Sequence, residues 1–532
     1  MDETTYSNAE VAKQVNEGFV PVRVDIDKRP DISERYNRGG FPTTAFLSDQ
    51  GESVWGATYV PPLDMLRIMK TILAAKSSGE IDSALERGRL QYLDISKALA
   101  KMKLPDSEFV SALFEDIFAS YDVEQGGFGL APKFPHPDVV DLLLVKVLKD
   151  GDNEAAEAVR HTIDRMIEGL YDPVEGGVFR YSVKRDWREP HFEKMLETNL
   201  GMMRNLVHAS AVLDKDLYMQ KAEGVATYLR RTLKDPRSGG FFGSQDADEE
   251  YYTLSKEQRS KRKPPSVDRT IYAGWNAEAV STMIESGAMA DMREWIEDGL
   301  GAWDCAASSH WNQELGLARH TKGQDLYLFE DQAAFLEAIV SVLQVRNDPA
   351  LIDMGRRLVE GVEKGFSDPE GGYYDVFKGE EAIGELGSPR RTLVGNSRYA
   401  RALALFGIAS HDVELIQRSW GILVSFPSKS VEAHGLFAAQ YIMAWWVLER
   451  EPVLVEVHNA KGDDPLGSKL WLTAKRTMNQ GLVAMLAPRQ VSASSTRKGE
   501  FAVVCTRKGC SKELATAAEL LRNLRSLQSS QV

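Results

Sequence analysis

The chain has 532 residues, a formal net charge of −14 and three cysteines. It can hold more than one domain and a substantial core, and its acidic balance argues against nucleic acid or an anionic membrane as main partner. No apolar run approaches a membrane span and no basic-then-apolar leader opens the sequence. Cys305, Cys505 and Cys510 make no disulfide framework, so a reduced, cytoplasmic protein is expected.

Residues 1–80 read as a domain apart. Their pattern predicts a helix over 8–17, a strand from Phe19 to Asp25, and a helix over 31–37. Gly39-Gly40-Phe41-Pro42 follows, then strands from Ala45 to Ser48 and Glu52 to Trp55 around a turn at Asp49-Gln-Gly51, and a helix from Pro62. The order resembles the C-terminal two-thirds of a thioredoxin fold, and the resemblance implies a cis peptide at Pro42. Such a fold also needs two strands and a helix ahead of this point, with Cys-x-x-Cys opening the helix. Their absence would leave an open sheet edge, so a further segment upstream is expected.

Residues 81–450 carry a repeated signature. It reads Asp122-Val-Glu-Gln-Gly-Gly-Phe128, Asp172-Pro-Val-Glu-Gly-Gly-Val178, Asp235-Pro-Arg-Ser-Gly-Gly-Phe241 and Asp368-Pro-Glu-Gly-Gly-Tyr373, with a weaker copy at Asn312-Gln-Glu-Leu-Gly-Leu317. Around it, helical spacing of apolar residues predicts twelve segments, at about 107–120, 138–149, 154–170, 193–213, 215–234, 276–291, 292–309, 330–346, 349–365, 396–409, 411–424 and 433–449. Short links alternate with long ones bearing the glycine pair. Strict alternation makes antiparallel hairpins with every long loop on one rim, so a mainly α fold is expected: six hairpins closed as an (α/α)6 toroid barrel. The glycines themselves serve the backbone, supplying the positive φ of a turn opened by Asp-Pro.

Residues 451–532 predict a small α/β module packed on the barrel. Its strands are Val453 to Val457, Gly481 to Leu486 and Phe501 to Cys505, and its helix runs from Leu514 to Leu527. Cys505 and Cys510 could form a metal or dithiol pair; ordinary reduced cysteines at a strand-to-turn junction are the simpler reading. Cys305 reads as helix packing. The basic run from Lys256 to Lys263 reads as a solvated excursion inside a long loop.

Several strings resemble one family, the spermatogenesis-associated protein 20 type, also called DUF255. They are Val24-Asp-Ile-Asp-Lys-Arg-Pro-Asp31, Gly40-Phe-Pro-Thr-Thr-Ala-Phe-Leu47, Gly127-Phe-Gly-Leu-Ala-Pro-Lys-Phe-Pro135, Pro190-His-Phe-Glu-Lys-Met195 and Ser244-Gln-Asp-Ala-Asp248. Gly274-Trp-Asn276, Phe329-Glu-Asp331 and Gly395-Asn-Ser397 continue them. The resemblance implies a thioredoxin-like N-terminal part and a barrel related to N-acylglucosamine 2-epimerases and other six-hairpin sugar enzymes. The family also carries a Cys-x-x-Cys-like segment upstream of the position matching Met1. The absence of that motif from this sequence weighs against a redox role.

On the expected rim, the helix starts carry His191, Glu193, Asn276, Glu330, Asp331, Asn396 and Ser397. Helix N-termini aimed at a central pit suit a polar, hydroxyl-rich or anionic ligand. Capping is the plainer role for Asn276, Asn396 and Ser397. Asp246 and Asp248 lie two apart on an extended segment and face one side, as paired acid–base carboxylates or as a turn and helix cap. Arg180, Tyr181, Trp187, Lys194 and Trp275 supply the aromatic and cationic lining of a sugar site, with Asn276, Asp331 and Asn396 as further ligand contacts. No ligand set suggests a metal, and no cofactor is expected.

Two functions fit. One is an enzyme acting on a sugar. Epimerisation or isomerisation would use His191, with His434 as a second group; hydrolysis would use Asp246 or Asp248 with Glu193 or Glu330. The other is a redox-linked or adaptor protein whose barrel binds a ligand or partner without turnover.

Overall fold

All five glycine turns fold alike, and they explain the architecture. In each, the side chain of the opening Asp or Asn accepts from backbone N–H groups two or three residues on, an Asx turn, as at Asp122, Asp172, Asp235, Asn312 and Asp368. The first glycine then takes a positive φ, +77° at Gly176 and +67° at Gly316. It also sits tight on the next outer helix. A β-carbon at Gly176 would stand 2.3 Å from the carbonyl oxygen of Gly224, and one at Gly316 would stand 2.6 Å from that of Arg357.

A computed structural model describes residues 1–79, 81, 105–346, 348–377, 384–450, 452–460, 465–478, 480–487 and 499–529. The chain divides into two compact units, Met1–Lys101 with Tyr374–Arg390, and Met102–Tyr373 with Arg391–Val532. The first holds α1 (Ala9–Gly18), α2 (Pro30–Tyr36), the antiparallel hairpin β1 (Thr44–Leu47) and β2 (Ser53–Ala57), and α3 (Pro62–Ser78). The Phe41–Pro42 peptide is cis. The expected strand from Phe19 to Asp25 does not form. Among the described residues no strand lies beside it, and Val20 and Val22 stay 89% and 77% exposed, while Phe19 packs edge-on against Phe46. Arg35, buried, joins α2 to the 374–390 segment through the Asp375 carboxylate at 2.9 Å and the carbonyls of Glu385 and Ser388.

In the second unit the twelve expected helices are present: α4 (Ser107–Ala119), α5 (Pro137–Asp150), α6 (Asn153–Leu170), α7 (Leu196–Leu213), α8 (Asp216–Tyr228), α9 (Ala273–Ala290), α10 (Arg293–Ser309), α11 (Phe329–Leu343), α12 (Pro349–Phe366), α13 (Leu393–Ala409), α14 (Val413–Val424) and α15 (Ala439–Glu449). The odd-numbered members touch in sequence, and α15 touches α5, so the inner ring closes. Even-numbered helices pack outside, and α4 meets α15 through Phe114 on Trp446. This is the (α/α)6 barrel. Outer helices are one-sided: α12 buries Leu351, Leu358, Val362 and Phe366 on one stripe. Inner helices bury side chains all round, as α13 does with Leu393, Tyr399, Leu403 and Phe406. The last inner helix begins at Ala439 rather than at 433, after two short turns (Ser428–Glu432 and Gly435–Ala438).

The C-terminal segment forms a four-stranded sheet of β10 (Val453–His458), β11 (Leu482–Leu486), β12 (Phe501–Thr506) and β13 (Gly509–Cys510), ordered β11-β10-β12-β13 with β10 and β11 parallel. Two-residue strands occupy the barrel loops: β3 (Tyr181–Ser182), β4 (Pro190–His191), β5 (Lys194–Met195), β6 (Ser244–Gln245), β7 (Val267–Asp268), β8 (Trp311–Asn312) and β9 (Leu317–Ala318). Helix α16 (Lys469–Lys475) links β10 to β11 and packs on α9; α17 (Ala517–Ser529) covers α16. Cys505 lies opposite Cys510 in the β12–β13 register, and the two are joined as a disulfide, which corrects the expectation of reduced thiols. The hairpin turn brings together residues that sequence spacing left apart.

Substitution of Gly176 by Ala should lower stability by about 1–3 kcal/mol, combining left-handed strain of about 1–2 kcal/mol with displacement of the Gly224 backbone. Gly323 is the control, since it shares a positive φ (+81°) but has nothing within 4 Å of a β-carbon. In urea melts Gly176→Ala should lose more than Gly323→Ala; the reverse order would refute the backbone contact as a determinant.

Candidate functional site

Four inner helices carry an amide at their fourth residue: Asn199, Asn276, Gln332 and Asn396. Each accepts the backbone N–H of the residue after a glycine turn, Val178, Phe241, Ala318 and Tyr373, at 2.7 to 2.8 Å. Each donates both amide hydrogens, one to that residue's carbonyl and one to the carbonyl four residues back on its own helix. Asn276 and Asn396, expected to touch ligand, are therefore fully buried fasteners of the rim loops.

Cations reinforce the same turns. Lys133 donates to Asp122 and to the carbonyl of Gly126, both at 2.6 Å, and Lys194 donates to Asp172 and to Gly176, both at 2.8 Å. Lys194 is wholly buried among the rings of Phe179, Tyr228 and Tyr252. Burial lowers its affinity for a proton, an effect that Asp172 opposes. A ligand contact at Lys194 is thus corrected to a structural ion pair. Trp187 is 1% exposed, with its indole N–H on the Gln125 carbonyl at 3.0 Å and its ring over Gly127, so it too is packing. Arg259, from the supposedly solvated basic run, is buried and binds Asp172 at 2.6 Å and Glu175 at 3.2 Å. It ties the long loop down.

Other expected residues do gather at the rim. Strand β3 (Tyr181–Ser182) pairs with β4 (Pro190–His191), so Tyr181 faces His191. Their rings stack at 5.0 Å and 7°, and Phe134 stacks on Tyr181 at 4.8 Å. Arg180 holds Glu193 at 2.8 Å, and Nδ1 of His191 lies 3.9 Å from the same carboxylate, with no hydrogen-bond partner among the described residues. Trp275 rests against Tyr272, whose ring neighbours His320. Asp331 accepts from the backbone of Gly274 at 3.1 Å and lies 2.9 Å from Nδ1 of His320, a partner that sequence reading missed. Glu330 packs against Gly395 at the start of α13.

Asp246 and Asp248 follow β6 (Ser244–Gln245), which lies between β5 (Lys194–Met195) and β7 (Val267–Asp268). Asp246 is exposed and takes the Ser266 hydroxyl, whereas Asp248 caps a one-turn helix by accepting from Tyr251 N–H at 2.8 Å. The pairing expected of them becomes one surface carboxylate and one cap. His434 is held by the Ser430 carbonyl.

The deeper feature lies on the inner helices. A cavity of about 150 Å³ opens within the ring, lined by charged side chains from α5, α7, α9, α11 and α13 and floored by α16. An apolar cavity of that volume holds one six-membered ring; this one is polar. Asp141 accepts from Arg204, from Asn205 at 2.8 Å, and from His208, whose Nδ1 is 3.0 Å away. Nε2 of His208 lies 3.6 Å from Glu285. Glu337 takes Arg398 at 2.7 Å and Arg401 at 2.6 Å, and Arg398 also reaches Glu278.

Burial would lower the proton affinity of His208 and raise that of the carboxylates, but the pairing outweighs it. His208 is raised to about 9, Glu285 is lowered to about 2, and Asp141 lies well below the usual carboxylate range. The imidazole is therefore a cation at neutral pH. Sequence reading missed this group, although charges at helical spacing on helices buried all round, Arg204 with His208 and Arg398 with Arg401, were its signal.

Because the folded state raises His208 above its unfolded value of about 6.5, its stabilisation is complete below that pH and fades as pH rises through 9. The contribution is on the order of 3 kcal/mol. The stability advantage of the wild type over His208→Gln in urea melts should therefore shrink between pH 6 and 10; an advantage that grows with pH would contradict the pairing.

Comparison with known proteins adds four likenesses. The chain is 31% identical over 280 residues to mouse spermatogenesis-associated protein 20, covering 47% of this chain and 34% of that protein. The matched part thus spans about a third of the curated relative. Among solved structures, cellobiose 2-epimerase from Bacillus thermoamylovorans matches 59% of this chain and 87% of its own, with 10% identity and a TM-score of 0.47. D-mannose isomerase matches 64% and 98%, with 8% identity and a TM-score of 0.49. No helix of the described residues is long and apolar enough to cross a membrane. Residues 1–87 match the family model Thioredox_DsbH, described as "Protein of unknown function, DUF255", in keeping with the resemblance read from the sequence.

Proposed function

We propose that the barrel binds a small hydroxyl-rich, sugar-like molecule, with the inner cavity as its seat and the rim residues Arg180, Tyr181, His191 and Glu193 as further contacts. The observation that carries this reading is a ring-sized cavity lined by carboxylates, guanidinium groups and the hydroxyls of Ser281, Thr282 and Ser341 inside an otherwise apolar ring of helices. A sugar presents both faces such a site needs. Its C–H surface stacks on the Tyr181–His191–Phe134 column, and its hydroxyls exchange hydrogen bonds with carboxylates and guanidinium groups.

Glu193 and His191 are the acid–base candidates for isomerisation or epimerisation, since both present titratable atoms beside the stacked rings. Glu330, Asp331 and Trp275 are the contacts on the α9–α11 side. Asp246 remains a candidate as an exposed carboxylate on the rim loops, and Asp248 only if its capping bond opens.

Thermal shift against hexoses and their disaccharides tests the binding claim. A ligand at one hundred times its Kd should stabilise the fold by about 2.7 kcal/mol. Tyr181→Ala should weaken that ligand about tenfold, while Glu193→Gln should cut any turnover by about 10²–10⁴ with the ligand still bound. No shift with any sugar, or equal turnover in Glu193→Gln, would remove the reading or the role respectively.

A further inference from the structure

The cavity's carboxylates and its cations are not equally satisfied. Asp141 already accepts from Arg204, Asn205 and His208, and Glu337 from Arg398 and Arg401. Glu278 is taken by Arg398, and Glu285 stands beside the His208 imidazolium. On the donor side, Nε2 of His208 and Nε of Arg401 have no hydrogen-bond partner among the described residues, and His208 is only 3% exposed. Among the described residues, Oε1 of Gln440 is a fully buried acceptor on the lining without a partner, which suits a ligand hydroxyl.

Lys475 sharpens the imbalance. It stands at the last residue of α16, so the C-terminal sheet's own helix delivers it to the cavity floor. Arg204, Arg398, Arg401 and His208 each have a carboxylate oxygen within 4.0 Å. Among the described residues lining the cavity, Lys475 is the cation that does not. Its ammonium donates to Oε1 of Gln344 at 3.0 Å, a neutral oxygen that also accepts from the backbone of Ala484 at 3.2 Å. Two of its hydrogens are left for another acceptor. Burial lowers the lysine's proton affinity, with the Glu285 charge acting the other way, so the ammonium sits where an added anion would favour its charged form.

We propose that the ligand of this cavity bears an anionic group, a carboxylate or a phosphate, which docks on Lys475 at the floor while its hydroxylated ring occupies the space above. The C-terminal module then completes the binding site, because among the described residues lining the cavity the cations of the barrel helices each have a carboxylate partner and Lys475 of α16 does not. This inference rests on the sugar-like reading and narrows it to acidic sugars. A buried ammonium with two donor hydrogens to spare and no carboxylate partner is what an oxyanion requires. A neutral sugar would offer the ammonium hydroxyl acceptors but no opposite charge.

The test uses the full chain and matched ligands: glucose, mannose and galactose, each as the free hexose, the uronate and the 6-phosphate. Binding is read by calorimetry on the wild type, Lys475→Gln and Lys475→Arg, with circular dichroism melts confirming that each variant is folded. In the wild type, at least one acidic form should bind ten or more times tighter than its parent hexose. Lys475→Gln should abolish that preference and Lys475→Arg should keep most of it. Preference for the uronate or for the 6-phosphate identifies which anion the floor accepts. Parent hexoses that bind as well as their acidic forms, or an acid preference that survives in Lys475→Gln, would overturn this inference alone. Failure of every compound to bind would overturn it together with the sugar-like reading.

Discussion

The hydrogen bonds between an inner-helix amide and the backbone just beyond a glycine turn are the constraint on which the rest of this barrel depends. An amide is the shortest neutral side chain that can accept one bond and donate two. Placed at the fourth residue of a helix, it satisfies the strand-like residue arriving from the turn and a carbonyl of its own first turn together. The turn cannot then drift from the helix it feeds. The first glycine, lacking a side chain, lets the same turn touch the backbone of the next outer helix. One short motif thus ties an outer helix to its inner partner and each hairpin to its neighbour.

That arrangement accounts for which polar rim residues are structural. Buried Lys133 and Lys194 neutralise the turn-opening aspartates, and a charge so placed is costly to bury without its partner. The residues left over lie on β3, β4 and the starts of α9 and α11. Arg180, Tyr181, His191, Glu193 and Trp275, on or beside these elements, are half-buried.

Inside the ring the balance differs. Six inner helices buried on all sides should be apolar throughout, yet they carry Asp141, Arg204, His208, Glu278, Glu285, Glu337, Arg398 and Arg401. Such charges persist only as mutually bonded groups, and the bonds here cross from helix to helix: α5 to α7, α7 to α9, α11 to α13, α9 to α13. The network holds a polar cavity open where apolar side chains would have collapsed it. The small C-terminal sheet contributes the floor.

Much of the scaffold was legible in the sequence. Apolar periodicity located the twelve helices, and the alternation of short links with glycine-pair loops pointed to a closed ring, because both are local properties of the chain. The disulfide was not legible, since only the hairpin register sets Cys505 against Cys510. Nor was the strand expected from Phe19 to Asp25 realised, because a strand exists only where another lies beside it. The rim string Pro190-His-Phe-Glu-Lys-Met195 illustrates the division within one segment: His191 and Glu193 stay half-buried, while Lys194 turns inward to Asp172. Residue type and spacing mark a position as able to bear charge. Which partner that charge meets, and whether it is spent on the fold or left for a ligand, is decided by distances between helices far apart in sequence.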